Sequence, residues 1–279
     1  MPNPKFINKK NNGFTIVEIL IIAPIMILVI GSFIIAIISM TGDVMVSRSS
    51  DKLVYEIQSA LKTIEQDVRI SGAFLATNNF TLRADQGSDN LTSPFYNARS
   101  GDNGTSLILN AYTTTSNPLN SIKNLYYKPL QAGNCNSLQS SPAMYNIVYY
   151  TSSNTLWRRT LMPDGYNSGC IDSQLAPPWQ QPSCSPGYTN VDFCKTDDIR
   201  LVDNLADNGF SVTYLSSPSS STIINDASDS NIADYLRQNA MTNATTVSIT
   251  INGAKTVAGR DITQTGMIKA ISPNNNISN

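Results

Sequence analysis

The sequence predicts an α+β protein in which one long N-terminal α-helix packs on an antiparallel β-sheet head. Three observations carry this prediction. Residues 14 to 40 are almost entirely apolar, the residues up to 72 repeat apolar side chains at helical spacing, and everything after residue 73 contains short β-like runs in a background rich in Ser, Thr, Asn, Gly and Pro. A helix followed by strands is the order typical of an α+β layout.

The composition restricts the function. A length of 279 residues allows one anchoring element and one globular domain of ordinary size. A formal net charge of -1 and a pI of about 5.4 offer no overall attraction to nucleic acid or to acidic membranes. The chain has no histidine, which removes the Ser-His-Asp and Cys-His nucleophile arrangements and the commonest zinc and iron ligand sets. We therefore expect no enzyme, no metal site and no cofactor.

The apolar run is long enough to cross a membrane. From Ile19 to Met40 there are 22 residues without a charge, which at a helical rise span about 33 Å. Three lysines (Lys5, Lys9 and Lys10) and no acid precede residue 14, so the positive-inside rule places the N-terminus in the cytoplasm and the rest of the chain outside. An uncleaved signal anchor would have the same pattern, but it leaves Glu18 unexplained. A carboxylate within a span costs roughly 3 kcal/mol even on lenient scales.

The stretch KKNNGFTIVEILII around Glu18 resembles the junction between leader and mature chain in type IV prepilins and in the pseudopilins of type II secretion. The resemblance implies that residues 1–13 are a leader and that a prepilin peptidase in the membrane cuts between Gly13 and Phe14 and methylates the new amine. It also implies that residues 14–40 are kept as a transmembrane and assembly helix. The fold that it implies is the type IV pilin fold.

In the same family, the acid at this position serves assembly. Phe14 and Glu18 are four residues apart and so share a helical face, and the resemblance implies that Glu18 pairs with the Phe14 amine of a neighbouring subunit. A contact of ~4 Å at an effective dielectric near 20 contributes about 4 kcal/mol before desolvation. Pro24, in the helix interior, predicts a kink earlier in the chain than most pilins place theirs.

Residues 41–72 predict an amphipathic continuation of the helix, so that helix runs from Phe14 to Ile70 and Ser71-Gly72 end it. Two i,i+4 pairs on solvated positions support it slightly (Lys52 with Glu56, and Glu65 with Arg69). The buried stripe predicted at spacings of three and four consists of Val54, Ile57, Leu61, Ile64 and Val68.

Residues 73–279 predict a β-rich extracellular head. The β-like runs are 105–112, 145–151, 155–161, 198–202, 210–216, 245–251 and 266–272, with a hairpin at SSN and a short helix at 231–239 capped by Ser230. Their order, with the aromatic-Arg run LWRRT, is similar to that of the larger minor pilins of the PilW type and the matching pseudopilins.

Four cysteines, all on the predicted outer side, lack metal-site spacing: Cys135, Cys170, Cys184 and Cys194. Two disulfides in an oxidising exterior are predicted. Three connectivities are open, and proximity favours Cys135 with Cys170 and Cys184 with Cys194. Each would contribute about 2 to 4 kcal/mol. The stretch 131–197 has little periodicity, which makes it the candidate binding surface.

Two further patterns favour ordinary structure. Lys128, Trp157, Arg158 and Arg159 lie near aromatics, as in single-strand nucleic-acid sites, but alternation along a strand puts Trp157 and Arg158 on opposite faces. Nucleic-acid binding is therefore unlikely. Segments 85–90 and 225–234 offer oxygen ligands for calcium, yet neither completes an EF-hand, and turn or cap chemistry explains them better.

The sequence therefore predicts a minor pilin-like subunit of a type IV pilus or related filament. Its expected partners are other pilin subunits through the N-terminal helix, the prepilin peptidase and the pilus assembly machinery. It would lie in the inner or cytoplasmic membrane before assembly, with its head outside, and in a cell-surface filament afterwards. Two alternatives stay open: a pilus-borne binding module, either an adhesin or a DNA-uptake head, and a pseudopilin of type II secretion.

Overall fold

The structure is a computed structural model that describes residues 15–76, 106–114, 125, 127–131, 134–142, 144–161, 180–186, 196–219 and 234–272, with the backbone alone for 127–142. The chain divides into two compact units, residues 1–48 and 49–279. The order of elements confirms the coarse prediction of a long apolar N-terminal helix followed by antiparallel sheet.

Helix α1 runs from Ile16 to Ile70 and continues through Pro24 without interruption. Phe14, the predicted first residue, lies outside the described residues, and the predicted kink at Pro24 stays a prediction. The helix ends where the sequence predicts. There the Ser71 hydroxyl donates to the carbonyl of Val68 at 2.7 Å, and the chain enters a strand directly. Ser71 and Gly72 are therefore strand residues rather than a loop.

The second unit contains a five-stranded antiparallel sheet in the order β1-β2-β5-β6-β9. Its strands are β1 (Ser71–Leu75), β2 (Leu107–Tyr112), β5 (Met144–Ser152), β6 (Thr155–Leu161) and β9 (Ile199–Val202). Strands β2, β5, β6 and β9 match predicted runs within two residues at each end. Strand β1 was not predicted, because SGAFL is short and follows a helix without a turn.

Three smaller sheets complete the described strands. The order β10-β11-β12 joins Leu205–Leu215, Thr246–Val257 and Arg260–Ile271, all longer than predicted. Strands β3 (Tyr127–Gln131) and β4 (Asn134–Pro142) pair antiparallel, whereas β7 (Ser183–Cys184) and β8 (Thr196–Asp197) pair parallel. Of the strands within 131–197, β5 and β6 match predicted runs, whereas no run was predicted for β4, β7 or β8.

Turn residues explain both long hairpins. Ser153 and Asn154 have φ values of 50° and 56° between β5 and β6, and Ala258 and Gly259 have 51° and 74° between β11 and β12. Two successive positive φ values are the geometry of the type I′ turn, whose twist matches that of the strands it joins. The predicted hairpin at SSN is confirmed, with Ser152 as the last residue of β5.

The second half of α1 covers the main core. Its buried residues are Leu53, Ile57, Ala60, Leu61, Ile64, Asp67 and Val68, and they pack with side chains from both larger sheets. Two assignments of the predicted stripe need correction. Leu53 is buried in place of Val54, which is half-buried, and Asp67 lies among the apolar side chains.

A short helix protects one sheet edge. Helix α2 (Asp234–Thr242) overlaps the predicted helix at 231–239. Residues 230–233, with the predicted cap Ser230, lie outside the described residues. The Gln238 amide accepts from the backbone N–H of Ala76 at 2.9 Å and donates to the Phe74 carbonyl at 3.2 Å. One side chain thus takes the position of a neighbouring strand along β1 and satisfies groups that an edge would leave unpaired.

Candidate functional site: the exposed apolar helix and two buried ion pairs

The first unit presents an apolar helical surface. Apart from Gly31 and Gly42, every residue between Thr15 and Met45 is exposed; Leu28, for example, is 74% exposed. By length and composition, α1 can cross a membrane. An apolar surface of this size is far larger than a soluble monomer tolerates, so it must be covered by lipid or by other protein.

Glu18 closes the N-terminus of this helix. Its Oε2 accepts from the backbone N–H of Thr15 at 2.9 Å and from the Thr15 hydroxyl at 3.0 Å, and its own backbone N–H donates to Thr15 Oγ1 at 3.3 Å. These are the reciprocal contacts of a capping box, in which Thr15 is the N-cap and Glu18 the third helical residue. The T-x-x-E spacing is the local sequence signal for this cap, although Glu18 was predicted only as an assembly residue.

Capping does not use the whole carboxylate. Both contacts go to Oε2, which leaves Oε1 as an acceptor for a further donor. Two other polar side chains of the apolar segment bond to their own helix: Ser32 donates to the Val29 carbonyl at 2.9 Å and Thr41 to the Ile37 carbonyl at 2.8 Å. Glu18 is therefore the polar side chain best placed to receive a partner at the start of the helix.

The second unit contains a buried ion pair between helix and sheet. Arg158, on the face of β6 that contacts the main core, donates through Nε to Asp67 Oδ2 at 2.6 Å and through Nη2 to Oδ1 at 3.3 Å. The Tyr149 hydroxyl donates to the same Oδ2. Burial alone would lower the pKa of Arg158, but the charge of Asp67 raises it above its usual value. Burial first, and then the charge of Asp67, raise the pKa of Tyr149.

A second ion pair lies on the opposite face of the same sheet. Because successive strand residues alternate faces, Arg159 and Tyr150 point away from α1. Arg159 Nε donates to Asp198 Oδ2 at 2.7 Å, the Tyr150 hydroxyl donates to that oxygen at 2.7 Å, and the guanidinium carbon lies 5.0 Å from the Tyr150 ring centroid. Arg159 is 2% exposed. The two adjacent arginines thus serve two separate clusters.

The burial of both arginines bears on nucleic-acid binding. Arg158 and Arg159 have carboxylate partners inside the protein, so neither can contact a phosphate without breaking a buried pair. Lys128 belongs to the segment with a described backbone alone. The aromatic-Arg run is therefore a structural feature of the sheet.

Of the four cysteines, Cys184 alone has a described side chain. It is fully buried on β7 and is not a free thiol. The side chains of Cys135, Cys170 and Cys194 lie outside the described residues, so the predicted pairing stays a prediction.

The described residues include no group of three His, Cys, Asp or Glu side chains that could hold a metal ion. The two candidate calcium segments lie outside them, apart from Asp234 at the start of α2. Gly13 and Phe14, the predicted processing site, also lie outside. The structure describes Glu18, predicted for assembly, and Pro24, predicted for the helix kink.

Comparison of the chain with protein-family models, with curated proteins and with solved structures finds no match.

Proposed function

We propose that this chain is a minor pilin-like subunit of a type IV pilus or a related filament, cleaved after Gly13 and assembled through α1. The observation that carries the proposal is Glu18, an acid at the capped N-terminus of a helix whose apolar side chains are all exposed up to Met45. An acid at that place needs a role that offsets its cost in a membrane.

The structure supports the proposal at two points. Glu18 Oε1 can accept a hydrogen bond from the Phe14 ammonium of a neighbouring subunit while Oε2 continues to cap the helix. The apolar surface of the first unit then supplies most of the association energy, and the ion pair fixes the register. The second half of α1 is already buried against its own sheets, so assembly would use the first half.

The direct test is mass spectrometry of the N-terminal peptide of the protein purified from its own host. A peptide that begins with N-methylated Phe14 is the expected result. A matched variant, Gly13→Leu, should accumulate with an intact leader, since the resemblance implies that a residue without a side chain precedes the cut. An intact Met1 or Pro2 start in the wild-type membrane fraction would instead identify a signal-anchored surface protein.

The abundance of the chain in filaments tests whether it is a minor subunit. In filaments sheared from the cell, a minor subunit gives a faint band at 30.3 kDa or slightly below, whereas a dominant band would make it the main repeat. The same fractionation separates a surface pilus from a secretion pseudopilus, because a pseudopilin should stay with the cell envelope.

A further inference from the structure

Two separate pieces of chain meet on the face of the five-stranded sheet that points away from α1. Residues 180–186 form the first piece, and residues 196–198 form the second. They pair in parallel as β7 and β8, and the Asp198 N–H donates to the Cys184 carbonyl at 2.7 Å. We call residues 180–186 the docked segment.

Arg159 contacts both pieces. Its Nη2 donates to Ser185 Oγ at 2.6 Å, and its Nε donates to Asp198 Oδ2 at 2.7 Å. The other Asp198 oxygen, Oδ1, accepts from Ser183 Oγ at 2.8 Å. One guanidinium thus reaches the docked segment directly through Ser185 and indirectly through Asp198 and Ser183. The Nη2 group also donates to the Tyr150 hydroxyl at 3.0 Å, which fixes the plane of the guanidinium.

The docked segment makes further polar contacts. The Thr160 N–H donates to Ser183 Oγ at 2.9 Å, and the Gln180 amide donates to Thr114 Oγ1 at 2.8 Å and accepts from the Thr114 N–H at 3.3 Å. These side chains are all buried. None of these bonds uses the sulfur of Cys184.

Because the Arg159–Asp198 pair is buried, the position of the docked segment depends on both charges. Arg159 and Asp198 are each buried, and a buried charge without its partner destabilises its surroundings far more than a lost exposed pair does. The planar guanidinium holds its acceptors at fixed angles, which the single ammonium of a lysine does not reproduce. The geometry therefore favours arginine over lysine at position 159.

We propose that the Arg159–Asp198 ion pair is a lock that holds the docked segment on the sheet whether or not Cys184 is oxidised. Arg159 acts as a positioning residue for this surface. The disulfides predicted for the head would then limit the unfolded chain, while the lock sets the position of residues 180–186 in the folded protein. This inference does not depend on assembly into a filament.

Hydrogen exchange read by mass spectrometry on the full-length chain in detergent micelles tests the lock. In Arg159→Met the amides of 180–186 should exchange about tenfold faster or more, because a buried bond to a charged group is lost. Arg159→Lys should give an intermediate rate. In the wild-type protein under reducing conditions, the same amides should stay within about threefold of their oxidised rate.

The control is Arg200→Met, which removes the solvent-accessible ion pair between Arg200 on β9 and Asp203 and should leave the docked segment unchanged. Unchanged exchange in Arg159→Met, or equal acceleration by reduction alone, would overturn the lock. If Arg159→Met also speeds exchange around Ile64 in the core, the head has unfolded. In that case Ser185→Ala and Tyr150→Phe test the proposal, because each removes only one contact of the guanidinium. Each should accelerate exchange in 180–186 alone. Acceleration that is absent, or that is spread over the head, rejects the proposal.

Discussion

Asp67 and Arg158 join the helix to the sheet through an ion pair at 2.6 Å in the middle of an otherwise apolar interface. A carboxylate in the buried stripe of α1 would destabilise the head without a partner. Arg158 supplies two hydrogen bonds and Tyr149 a third. The pair therefore fixes which turn of the helix lies over β6, which apolar packing alone specifies less well.

Breaking the Asp67–Arg158 pair should strongly destabilise the head. Asp67→Asn or Arg158→Met leaves one buried group without its charge partner, and we expect a loss of about 3 to 5 kcal/mol in the free energy of unfolding of the head. The double variant Asp67→Leu with Arg158→Met should recover most of this loss, because a well-packed apolar pair avoids the desolvation cost. Urea unfolding followed by tryptophan fluorescence measures all three.

The matched control is the exposed pair between Glu65 and Arg69 on the same helix, at 2.8 Å. Glu65→Gln should change the free energy by no more than about 0.5 kcal/mol, since solvent screens an exposed i,i+4 pair. A loss for Asp67→Asn as small as that for Glu65→Gln would show that the buried pair contributes nothing to the stability of the head.

Alkaline pH should destabilise the head through its buried tyrosines. Burial raises the pKa of Tyr214, and burial together with Asp67 raises that of Tyr149. The unfolded chain ionises these phenols near pH 10 while the folded chain keeps them protonated. Their contribution to stability is therefore complete below about pH 10 and falls as pH rises above it.

Tyr214→Phe gives the clean test of this pH dependence. The Tyr214 hydroxyl has no hydrogen-bond partner among the described residues, so its removal should leave the melting temperature at pH 7 unchanged or slightly higher. The fall in melting temperature above about pH 10 should become shallower. The exposed Tyr55 is the control, and Tyr55→Phe should leave the curve unaltered. Identical curves for wild type and Tyr214→Phe would contradict the assignment.

Periodicity predicted the helices and strands of this fold better than it predicted which side chains contact each other across them. The spacing of apolar residues placed α1 and the predicted strand runs, because local alternation reports directly on which side chains are buried. Asp67 was missed because an acid in a helix usually lies on the solvent side. Its position three residues after Ile64 and one before Val68 was the available signal, and its partner Arg158 is 91 residues away.

In the candidate site, too, local features could be predicted from the sequence and long-range contacts could not. The T-x-x-E spacing is local and suffices to predict the cap between Thr15 and Glu18. The separation of Arg158 and Arg159 onto two faces follows from strand alternation alone. Which carboxylate each meets depends on how distant segments pair, and neither spacing nor composition contains that information. The protection of β1 by Gln238 is unpredictable for the same reason.

Two glycines should be sensitive to a single methyl group because the helix approaches the sheet closely there. A Cβ at Gly266 would lie 2.5 Å from Ile57 Cγ2 and 2.8 Å from Leu61 Cδ1, and one at Gly253 would lie 2.7 Å from Leu53 Cδ1. Gly266→Ala should cost about 1 to 3 kcal/mol. Gly253→Ala should cost less, because the leucine end can rotate away whereas the β-branched isoleucine is stiff at χ1.

Urea unfolding measures the two glycine variants, with Gly42→Ala as the control. Gly42 lies in α1 with nothing within 4 Å of an added Cβ, and alanine is the better helix former, so no loss is expected. Equal costs for Gly253→Ala and Gly266→Ala would mean that the backbone, rather than the side chain, absorbs the added volume.

Capping and charge pairing by Glu18 can be separated with conservative variants. Gln at the third helical position still accepts the Thr15 N–H and completes a capping box, but it carries no charge. Glu18→Gln should therefore keep the helix start and lose filament assembly, whereas Thr15→Ala should lose about 1 kcal/mol of capping and still assemble. The amount of the chain in sheared filaments, compared with its amount in the membrane fraction, measures assembly. If Glu18→Gln enters filaments as well as the wild-type chain does, the acid is needed only as a cap. If both variants fail to enter filaments, the cap itself is what the neighbouring subunit requires.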